Sequence, residues 1–380
     1  MGHPAGDELL VQLGRRLAAA ADRDDLVCRL GGDEFGVVVG DGARAPALAE
    51  RILDALHAPF PLGERSVRVD ASVGIAYGDR GIDDLLRNAD LAMYRAKGAG
   101  GGRCELYAPE LHAALVERLD LETELRAALQ HDELEVRFQP EVDVAHRRVI
   151  GFEALVRWHH PERGVLAPAD FLDIAETTGL MPKLTRRVLE RSLRTLARWR
   201  ATGHEWAMSV NLPASVLSDA ELVDEVARLL TETGLPGSAL QLEITEDTLM
   251  ADSDRATMVL ARFHEHGVRF AIDDYGTGHS SLARLKSLPI SELKIDRSFV
   301  TNMLDEPEDA MIVRSTVNLA HDLGLEVVAE GVEDHGVFEA LRRLHCDRAQ
   351  GFFLSCALDP SDVPGWLAQW EERRLRLLAA

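Results

Sequence analysis

The alternation of short apolar segments with longer amphipathic ones is the feature that most constrains the fold of this chain. From about Leu134 onward, strand-length segments rich in branched apolar residues recur, such as VIGFEALVRW, ALQLEIT and VRFAIDD. Helical segments such as DAELVDEVARLLTETG lie between them and end in the glycine expected at a helix C-terminus. Such alternation over roughly 250 residues predicts a (β/α)₈ barrel. A doubly wound open sheet is the alternative, although no G-x-G-x-x-G turn follows a strand.

The N-terminal part of the chain has a different, mixed pattern. It contains two helical segments, GDELLVQLGRRLAAAA and IDDLLRNADLAMYRAKG. LVCRLGGDEFGVVV predicts two strands joined by a Gly-Gly turn, and SVRVDASVGIAYG predicts a further alternating strand. After Tyr107, the segment PELHAALVERLDLETELRAALQ predicts a long connecting helix. We therefore predict an α+β domain in residues 1–108 and a helical linker in residues 109–130.

The net charge of the chain excludes one class of partner. Its 42 Lys and Arg residues against 64 Asp and Glu residues give a formal charge of −22. Proteins that bind nucleic-acid polymers derive most of their affinity from basic surfaces, so we expect no such partner. A small anionic ligand held by metal ions or by a few placed cations remains compatible with this charge.

Cysteine usage and hydropathy point to a compartment. The four cysteines are scattered and form no C-x-x-C pair, which argues against a zinc site or a disulfide framework and fits a reducing cytosol. No apolar run approaches the ~20 residues of a membrane helix, and the N-terminus does not resemble a signal peptide. We expect a cytoplasmic protein without a membrane segment in this chain, while a longer, membrane-anchored parent stays open.

Polar side chains recur at the predicted strand ends. In barrels of this kind the active site lies at the carboxyl ends of the strands. Reading these ends in order yields Glu153 and Arg157, Asn211, Glu243 and Glu246, Asp273 and Asp274, Lys294 and Asp296, Glu330 and Glu333, and Gln350. Carboxylate and amide oxygens without His or Cys are the ligands of Mg²⁺ or Mn²⁺. Such a set predicts a site for two ions ~3.5–4 Å apart that activates water and stabilises charge on a phosphate.

Each of these residues also has a structural interpretation that the sequence leaves open. Asp274 could form a turn or cap a helix N-terminus, and Asn211 could cap the helix after its strand. Asp296 could pair with Lys294 or Arg297, and Arg157 could form a salt bridge at the barrel rim. Glu246 could hold the loop that follows it. For Glu246 we favour the structural role. Recurrence of such residues across so many strands favours a functional site over a series of unrelated structural roles.

Eight motifs resemble the EAL family of cyclic di-GMP phosphodiesterases. They are FQP (138–140), EALVRW (153–158), SVNL (209–212), LEITE (242–246), IDDYGTGHSSL (272–282), LKIDRSF (293–299), VVAEGVE (327–333) and QGFF (350–353). The resemblance covers residues 118–375. It implies a TIM-like barrel with an irregular, antiparallel first strand.

The resemblance also implies an activity, a cofactor and residue roles. The expected reaction is hydrolysis of cyclic di-GMP to linear pGpG with two Mg²⁺ or Mn²⁺ ions. The implied metal ligands are Glu153, Asn211, Glu243, Asp273, Asp274 and Glu330. The implied catalytic residues are Lys294, which orients the attacking water, and Glu330. Substrate contact is implied for Gln139, Arg157, Glu333 and Gln350. Glu246 is implied to stabilise a loop. Members of the family commonly dimerise, so we expect a homodimer with the loop after the aspartate pair and the helix after LKID near its interface.

Residues 1–108 resemble a GGDEF, or diguanylate cyclase, domain. The matching motifs are GDELL (6–10), RLGGDEF (29–35), ASVGIA (71–76) and ADLAMYRAK (89–97), with the signature at Gly31, Gly32, Asp33, Glu34 and Phe35. The family's early strand with its metal-binding aspartate has no counterpart here, and Asp22 stands where the inhibitory site has arginine. We therefore expect this half to be catalytically inactive or regulatory, with GTP as a candidate ligand.

The sequence leaves open two alternatives to hydrolysis by this chain. One is a cyclic di-GMP receptor that binds without cutting, although no metal ligand of the family pattern is lost. The other is a bifunctional cyclase and phosphodiesterase in a full-length parent.

Overall fold

The computed structural model describes residues 3–62, 65–78, 81–98, 100–217, 219–246, 248, 254–277 and 288–379. The chain divides into two compact units, residues 1–120 and 121–380. Among the described helices, none combines the length and the apolar character needed to cross a bilayer. Each unit has its own hydrophobic core, so each is described by itself.

Among its described residues, the first unit has three α-helices and three small sheets, and the long helix that follows continues past residue 120 into the second unit. Its elements are α1 (His3–Ala20), β1 (Leu26–Gly31), β2 (Glu34–Val38), α2 (Ala45–His57), β3 (Phe60–Leu62), β4 (Arg65–Val67), β5 (Val73–Ile75), α3 (Ile82–Gly98), β6 (Cys104–Leu106) and α4 (Pro109–His131). Strands β1 and β2 form an antiparallel hairpin, β3 and β4 form another, and β5 and β6 pair in parallel. The core of this unit centres on Leu17, Leu48, Ile52, Leu56 and Phe60.

The prediction of one strand across SVRVDASVGIAYG was wrong. The segment contributes to two short strands, β4 and β5, and residues 68–72 between them belong to neither. Alternation of apolar and polar residues continues through this break, which is why the sequence pattern did not reveal it. The two strands pair with different partners, β4 with β3 and β5 with β6, so they belong to separate sheets.

The second unit contains the predicted alternation of strands and helices. Its elements are β7 (Leu134–Asp143), β8 (Val149–His160), β9 (Gly164–Leu166), α5 (Pro168–Thr177), α6 (Met181–Ala201), β10 (Ala207–Asn211), α7 (Ala220–Thr233), β11 (Leu240–Thr245), α8 (Asp254–Glu265), β12 (Arg269–Tyr275), β13 (Glu292–Ile295), α9 (Arg297–Thr301), α10 (Pro307–Asp322), β14 (Glu326–Ala329), α11 (His335–Arg343), β15 (Arg348–Ala349) and α12 (Val363–Ala379).

Eight of these strands close into a barrel, which confirms the predicted fold. The hydrogen-bonded order is β10, β11, β12, β13, β14, β15, β7 and β8, and a parallel pairing of β8 with β10 closes the ring. Strand β7 runs antiparallel to both neighbours, β15 and β8, whereas the remaining barrel pairings are parallel. The barrel therefore has the TIM-like form with an antiparallel first strand.

The parallel strands are apolar because both of their faces are covered. β13 is buried along its whole length and β11 along all but its last residue, as expected for strands inside a ring of helices. The helices between them carry standard end signals. For example, Asp219 accepts a hydrogen bond from the N–H of Glu221 before α7, and Gly234 ends that helix at a φ of 67°.

Charged side chains, most of them buried, form a network at the end of the barrel where the parallel strands begin. The guanidinium of Arg348 lies 2.6 Å from a Glu292 oxygen and 2.5 Å from a Glu326 oxygen, and Glu141 lies 3.8 Å away. Gln241 donates a hydrogen bond to the other oxygen of Glu292. Charged groups at this end of a TIM barrel usually stabilise the fold. A catalytic site is therefore expected at the opposite end, where the parallel strands finish.

Candidate active site

A buried lysine lies at the centre of the carboxyl end of the barrel. Strand β13 carries Lys294, whose side chain is fully buried. Its Nζ lies 2.5 Å from Glu330 Oε1, 2.9 Å from Glu243 Oε2 and 3.2 Å from Asp273 Oδ1. A fourth carboxylate oxygen, Glu153 Oε2, lies 3.8 Å away. These carboxylates come from β11, β12 and β8 and from the residue after β14, so the closed barrel is what brings them together.

The charges in this cluster shift one another's pKa values. Burial alone lowers the pKa of a lysine, but the surrounding carboxylates outweigh burial and raise the pKa of Lys294 well above its ordinary value. Burial raises the pKa of Glu243 well above the ordinary range, although Lys294 opposes the change. Burial, reinforced by Asp273 and Glu153, raises the pKa of Glu330 to about 8. One lysine thus neutralises only part of the negative charge, and the site favours additional cations.

The end of β12 has an irregular backbone that brings two consecutive aspartates into the site. Its register with β13 shifts between Ile272 and Tyr275, and Asp274 has a φ of 54°, in the left-handed region. In a regular strand, neighbouring side chains point to opposite faces. Here, in contrast, one carboxylate oxygen from each of Asp273, Asp274 and Glu330 lies within 4.8 Å of the others.

The turn after the aspartate pair is tied to the neighbouring strand. Gly276 has a φ of 104°, which glycine adopts without the steric cost that a side chain would add. Its N–H donates a hydrogen bond of 3.1 Å to Glu246 Oε2, just after β11. Glu246 is buried, so its carboxylate acts on the turn rather than joining the cluster around Lys294.

Asp274 and Asp296 interact at the edge of the cluster. Burial, together with the negative charges of Asp273 and Asp296, raises the pKa of Asp274 to about 6. Asp296 precedes α9, and its Oδ1 accepts a hydrogen bond of 3.0 Å from the N–H of Ser298. Asp296 is therefore the N-cap of α9 and forms neither of the cation pairs that the sequence left open for it.

A chain of amides surrounds Glu153. Asn211 donates a hydrogen bond of 2.7 Å from Nδ2 to Glu153 Oε1, and Gln350 donates one of 2.5 Å to Oε2. Gln350 also donates to Gln139 Oε1 at 3.1 Å, and Gln139 donates to the backbone oxygen of Ser355 at 3.1 Å. Asn211 thus contacts the carboxylate cluster instead of capping a helix. The network fixes the orientation of Glu153 at the rim of the site.

The donor set fits divalent cations. Glu243 Oε1 is buried and accepts no hydrogen bond within the described part of the chain, and the buried Asp273 Oδ1 faces the Lys294 ammonium group at 3.2 Å without a hydrogen bond. Buried carboxylate oxygens that lack hydrogen bonds are costly without further positive charge. Among the described residues of this site, six side chains supply oxygen atoms and none supplies sulfur or imidazole, which suits Mg²⁺ or Mn²⁺. They are Glu153, Asn211, Glu243, Asp273, Asp274 and Glu330.

The remaining predicted site residues lie at the rim or elsewhere. Arg157 is partly exposed, and its Nη1 donates a hydrogen bond of 2.8 Å to the backbone oxygen of Val156. Glu333 is exposed after β14. Residues 278–282 of the IDDYGTGHSSL motif, and with them most of the loop expected at a dimer interface, lie outside the described residues.

The GGDEF signature residues occupy an exposed position in the first unit. Gly31, Gly32, Asp33 and Glu34 are exposed and Phe35 is half-buried, at the turn between β1 and β2. The guanidinium of Arg29 donates hydrogen bonds to the backbone oxygen of Gly32, which braces the turn.

One residue near the site was missed by reading strand ends. Arg137 lies two residues from Gln139 on β7, and its backbone partner on β8 is Leu155, between Glu153 and Arg157. Because β7 is antiparallel, its residues nearest the mouth come at its beginning rather than its end. The alternation of positions 135, 137 and 139 along one face of the strand is the signal that could have identified Arg137.

Comparisons with known proteins identify the family of both parts of the chain. Residues 122–357 match the EAL domain model, and residues 1–103 match that of the diguanylate cyclase, GGDEF domain. MucR of Pseudomonas aeruginosa, a bifunctional diguanylate cyclase and cyclic di-GMP phosphodiesterase, is 41% identical over 359 residues, which are 93% of this chain and 52% of MucR. NbdA of the same organism, a cyclic di-GMP phosphodiesterase, is 39% identical over 361 residues, 93% of this chain and 46% of NbdA.

A solved structure supports the same assignment. The PaMucR phosphodiesterase in complex with c-di-GMP is 42% identical, with a TM-score of 0.62, and the match covers 64% of this chain and 99% of that one. The chain spans about half the length of the curated relatives it matches. Since the EAL domain model matches well over half of its residues and its barrel matches a solved relative, this chain belongs to the EAL domain family, with a GGDEF domain sequence preceding the barrel.

Proposed function

We propose that this chain is a metal-dependent phosphodiesterase that hydrolyses cyclic di-GMP to linear pGpG. One observation carries the proposal, namely the convergence of four carboxylates on the buried ammonium group of Lys294, with a fifth, from Asp274, beside them. The names of the similar proteins, which include cyclic di-GMP phosphodiesterases, support the choice of substrate.

The proposed cofactor is a pair of Mg²⁺ or Mn²⁺ ions held by the six oxygen-donating side chains. When bound, such ions lower the pKa of water and offset negative charge on a phosphate. Asp273 would serve as a ligand shared by the two ions, and Asp274 would complete the ligands of the second, which the proximity of their carboxylate oxygens supports. Gln350 and Asn211 hold Glu153 in a single orientation through hydrogen bonds to its two oxygens.

The residues of the chain then position the reacting groups. Lys294 orients the attacking water through its Nζ–H groups, and its positive charge offsets charge that develops on the phosphate. The water oxygen forms a new bond to phosphorus, and the bond from phosphorus to the 3′ oxygen breaks. The 3′ oxygen leaves as a hydroxyl after taking up a proton, so that the product pGpG keeps the phosphate on its 5′ side. Gln139 and Arg157, together with Glu333 and Gln350, are proposed to contact the dinucleotide.

A nucleotide assay tests the proposed function directly. Purified protein incubated with cyclic di-GMP and Mn²⁺ or Mg²⁺ should release pGpG, and an excess of chelator should stop the release. Binding of cyclic di-GMP without any turnover in either metal would overturn the proposal and establish a receptor.

The same preparation incubated with GTP and Mg²⁺ should form no cyclic di-GMP, because we propose that the GGDEF half is inactive or regulatory. GTP binding by that half and homodimerisation through the barrel are further proposals, checked by calorimetry and sedimentation.

Metal binding by this site should strengthen as the pH rises. Burial raises the pKa of Glu330 to about 8 and that of Asp274 to about 6, so these carboxyls hold protons at pH values where ordinary carboxyls are ionised. A cation must displace those protons. The apparent affinity for Mn²⁺ should therefore increase by up to about tenfold per pH unit between pH 6 and 8 and level off above. Calorimetric titration with Mn²⁺ measures this, and equal affinity at pH 6 and 8 would contradict it.

A further inference from the structure

Two arginines that form no salt bridge with any described residue lie near each other at the mouth of the barrel. Strands β7 and β8 are antiparallel, with Gln139 opposite Glu153, Arg137 opposite Leu155, and position 135 opposite Arg157. Residues that are opposite each other in such a pair share a face. Arg137 and Arg157 therefore lie on the face that carries Gln139 and Glu153, successively further from the carboxylate cluster.

One polar atom of Arg137 is not satisfied by the described part of the protein. Its Nε is buried and has no hydrogen-bond partner in the described residues. The nearby acidic side chains form no salt bridge with it: Asp359 accepts hydrogen bonds from Ser361 and interacts with Arg137 only through its charge, and Glu135 lies 2.8 Å from the ring of His159. A buried donor left unpaired is costly, and it is usually retained only where a ligand will pair with it.

The two guanidinium groups also repel each other. Partial burial lowers the pKa of Arg157, and the positive charge of Arg137 lowers it further, while Glu153 opposes the change. No ion pair of either arginine occurs in the part of the chain that the structure describes. A bound anion between them would supply the missing negative charge. Guanidinium groups bind phosphate in particular, because the fork of Nε and Nη matches two phosphate oxygens.

We propose that Arg137, together with Arg157, binds the phosphate of the dinucleotide that is not being cleaved. This inference rests on the proposed function. Cyclic di-GMP carries two phosphodiesters, and the carboxylate cluster acts on one of them. Arg137 is two residues beyond the level of Gln139, a separation of about 7 Å along a strand, so its guanidinium lies beyond the cluster rather than within it. Arg137 is a substrate-affinity residue, and it is the basis for favouring a doubly charged dinucleotide over a mononucleotide.

Steady-state kinetics of Arg137→Gln with cyclic di-GMP and Mn²⁺ test the inference. KM should rise about 10- to 100-fold, as expected for a lost charge-assisted hydrogen bond, with kcat within about threefold of the unmodified protein because the cleaved phosphate is held elsewhere. Arg137→Lys should show an intermediate KM, since lysine keeps the charge but lacks the fork. Arg148→Gln is the matched control, because Arg148 is exposed in the turn at the other end of the same strand pair.

The Tm of Arg137→Gln without nucleotide distinguishes a role in binding from a structural role. If Arg137 only stabilised the fold, its replacement would lower the Tm. Because Arg137→Gln removes a repulsive charge and an unpaired donor, its Tm without nucleotide should equal or exceed that of the unmodified protein. An unchanged KM, a fall in kcat alone, or a Tm lowered by several degrees would each overturn the inference. If the unmodified protein shows no turnover, the proposed function fails separately. Calorimetric titration of both proteins with cyclic di-GMP then decides, and equal Kd values would refute the role of Arg137.

Discussion

Replacing Asp273 with asparagine should reduce hydrolysis of cyclic di-GMP by at least about a thousandfold while leaving the barrel folded. Asparagine keeps the shape of the side chain but removes the charge that we propose bridges the two ions. Asp273 also raises the pKa values of Glu243, Asp274 and Glu330 by repulsion. Its removal relieves that repulsion, so the folded state without metal should be no less stable than before.

Turnover and thermal unfolding together test this expectation. With chelator present, the Tm of Asp273→Asn should equal or exceed that of the unmodified protein. Added Mn²⁺ should raise the Tm of the unmodified protein and have little effect on the variant. Asp322→Asn is the control, because Asp322 is an exposed aspartate at the end of α10. Retention of more than a tenth of the activity by Asp273→Asn would rule out the bridging role.

Replacing Lys294 with methionine should impair both activity and stability. Methionine has a similar length and fits an apolar interior, but it removes the only positive charge within reach of four carboxylate oxygens among the described residues. Leaving buried charges unpaired in this way costs about 3–5 kcal/mol. Loss of the group that orients water should lower kcat by at least about a hundredfold.

The metal dependence of the lost stability distinguishes this effect from simple misfolding. Chemical unfolding in chelator should show the full loss, and Mn²⁺ should restore part of it by supplying positive charge to the same carboxylates. Activity should not return with the metal. Lys183→Met, on the exposed surface of α6, should leave both properties unchanged. A Lys294→Met protein that is as stable as the unmodified one in chelator would contradict the charge balance described above.

Much of the barrel and its site could be anticipated because parallel strands follow a simple rule. Because their carboxyl ends meet at one end of the barrel, the polar residues at the ends of Val-rich and Ile-rich runs predict a shared site. Glu243, Asp273, Lys294 and Glu330 are predicted in this way from the sequence alone. The structure then places Lys294 in contact with each of the other three. Arg137 escaped the same rule because it lies on the antiparallel strand β7, where the mouth of the barrel corresponds to the beginning of the strand.

The sequence by itself determined the type of architecture and the chemical nature of the site. Apolar periodicity and helix-ending glycines are local properties, and a set of oxygen donors without His or Cys restricts the choice of metal wherever its members meet. Only the tertiary structure decided the arrangement of the aspartate pair. A regular strand would direct Asp273 and Asp274 to opposite faces. The register shift against β13, the left-handed backbone at Asp274 and the hydrogen bond from Gly276 to Glu246 bring both into one cluster. These features depend on neighbouring strands that are distant in sequence, and no local pattern records them.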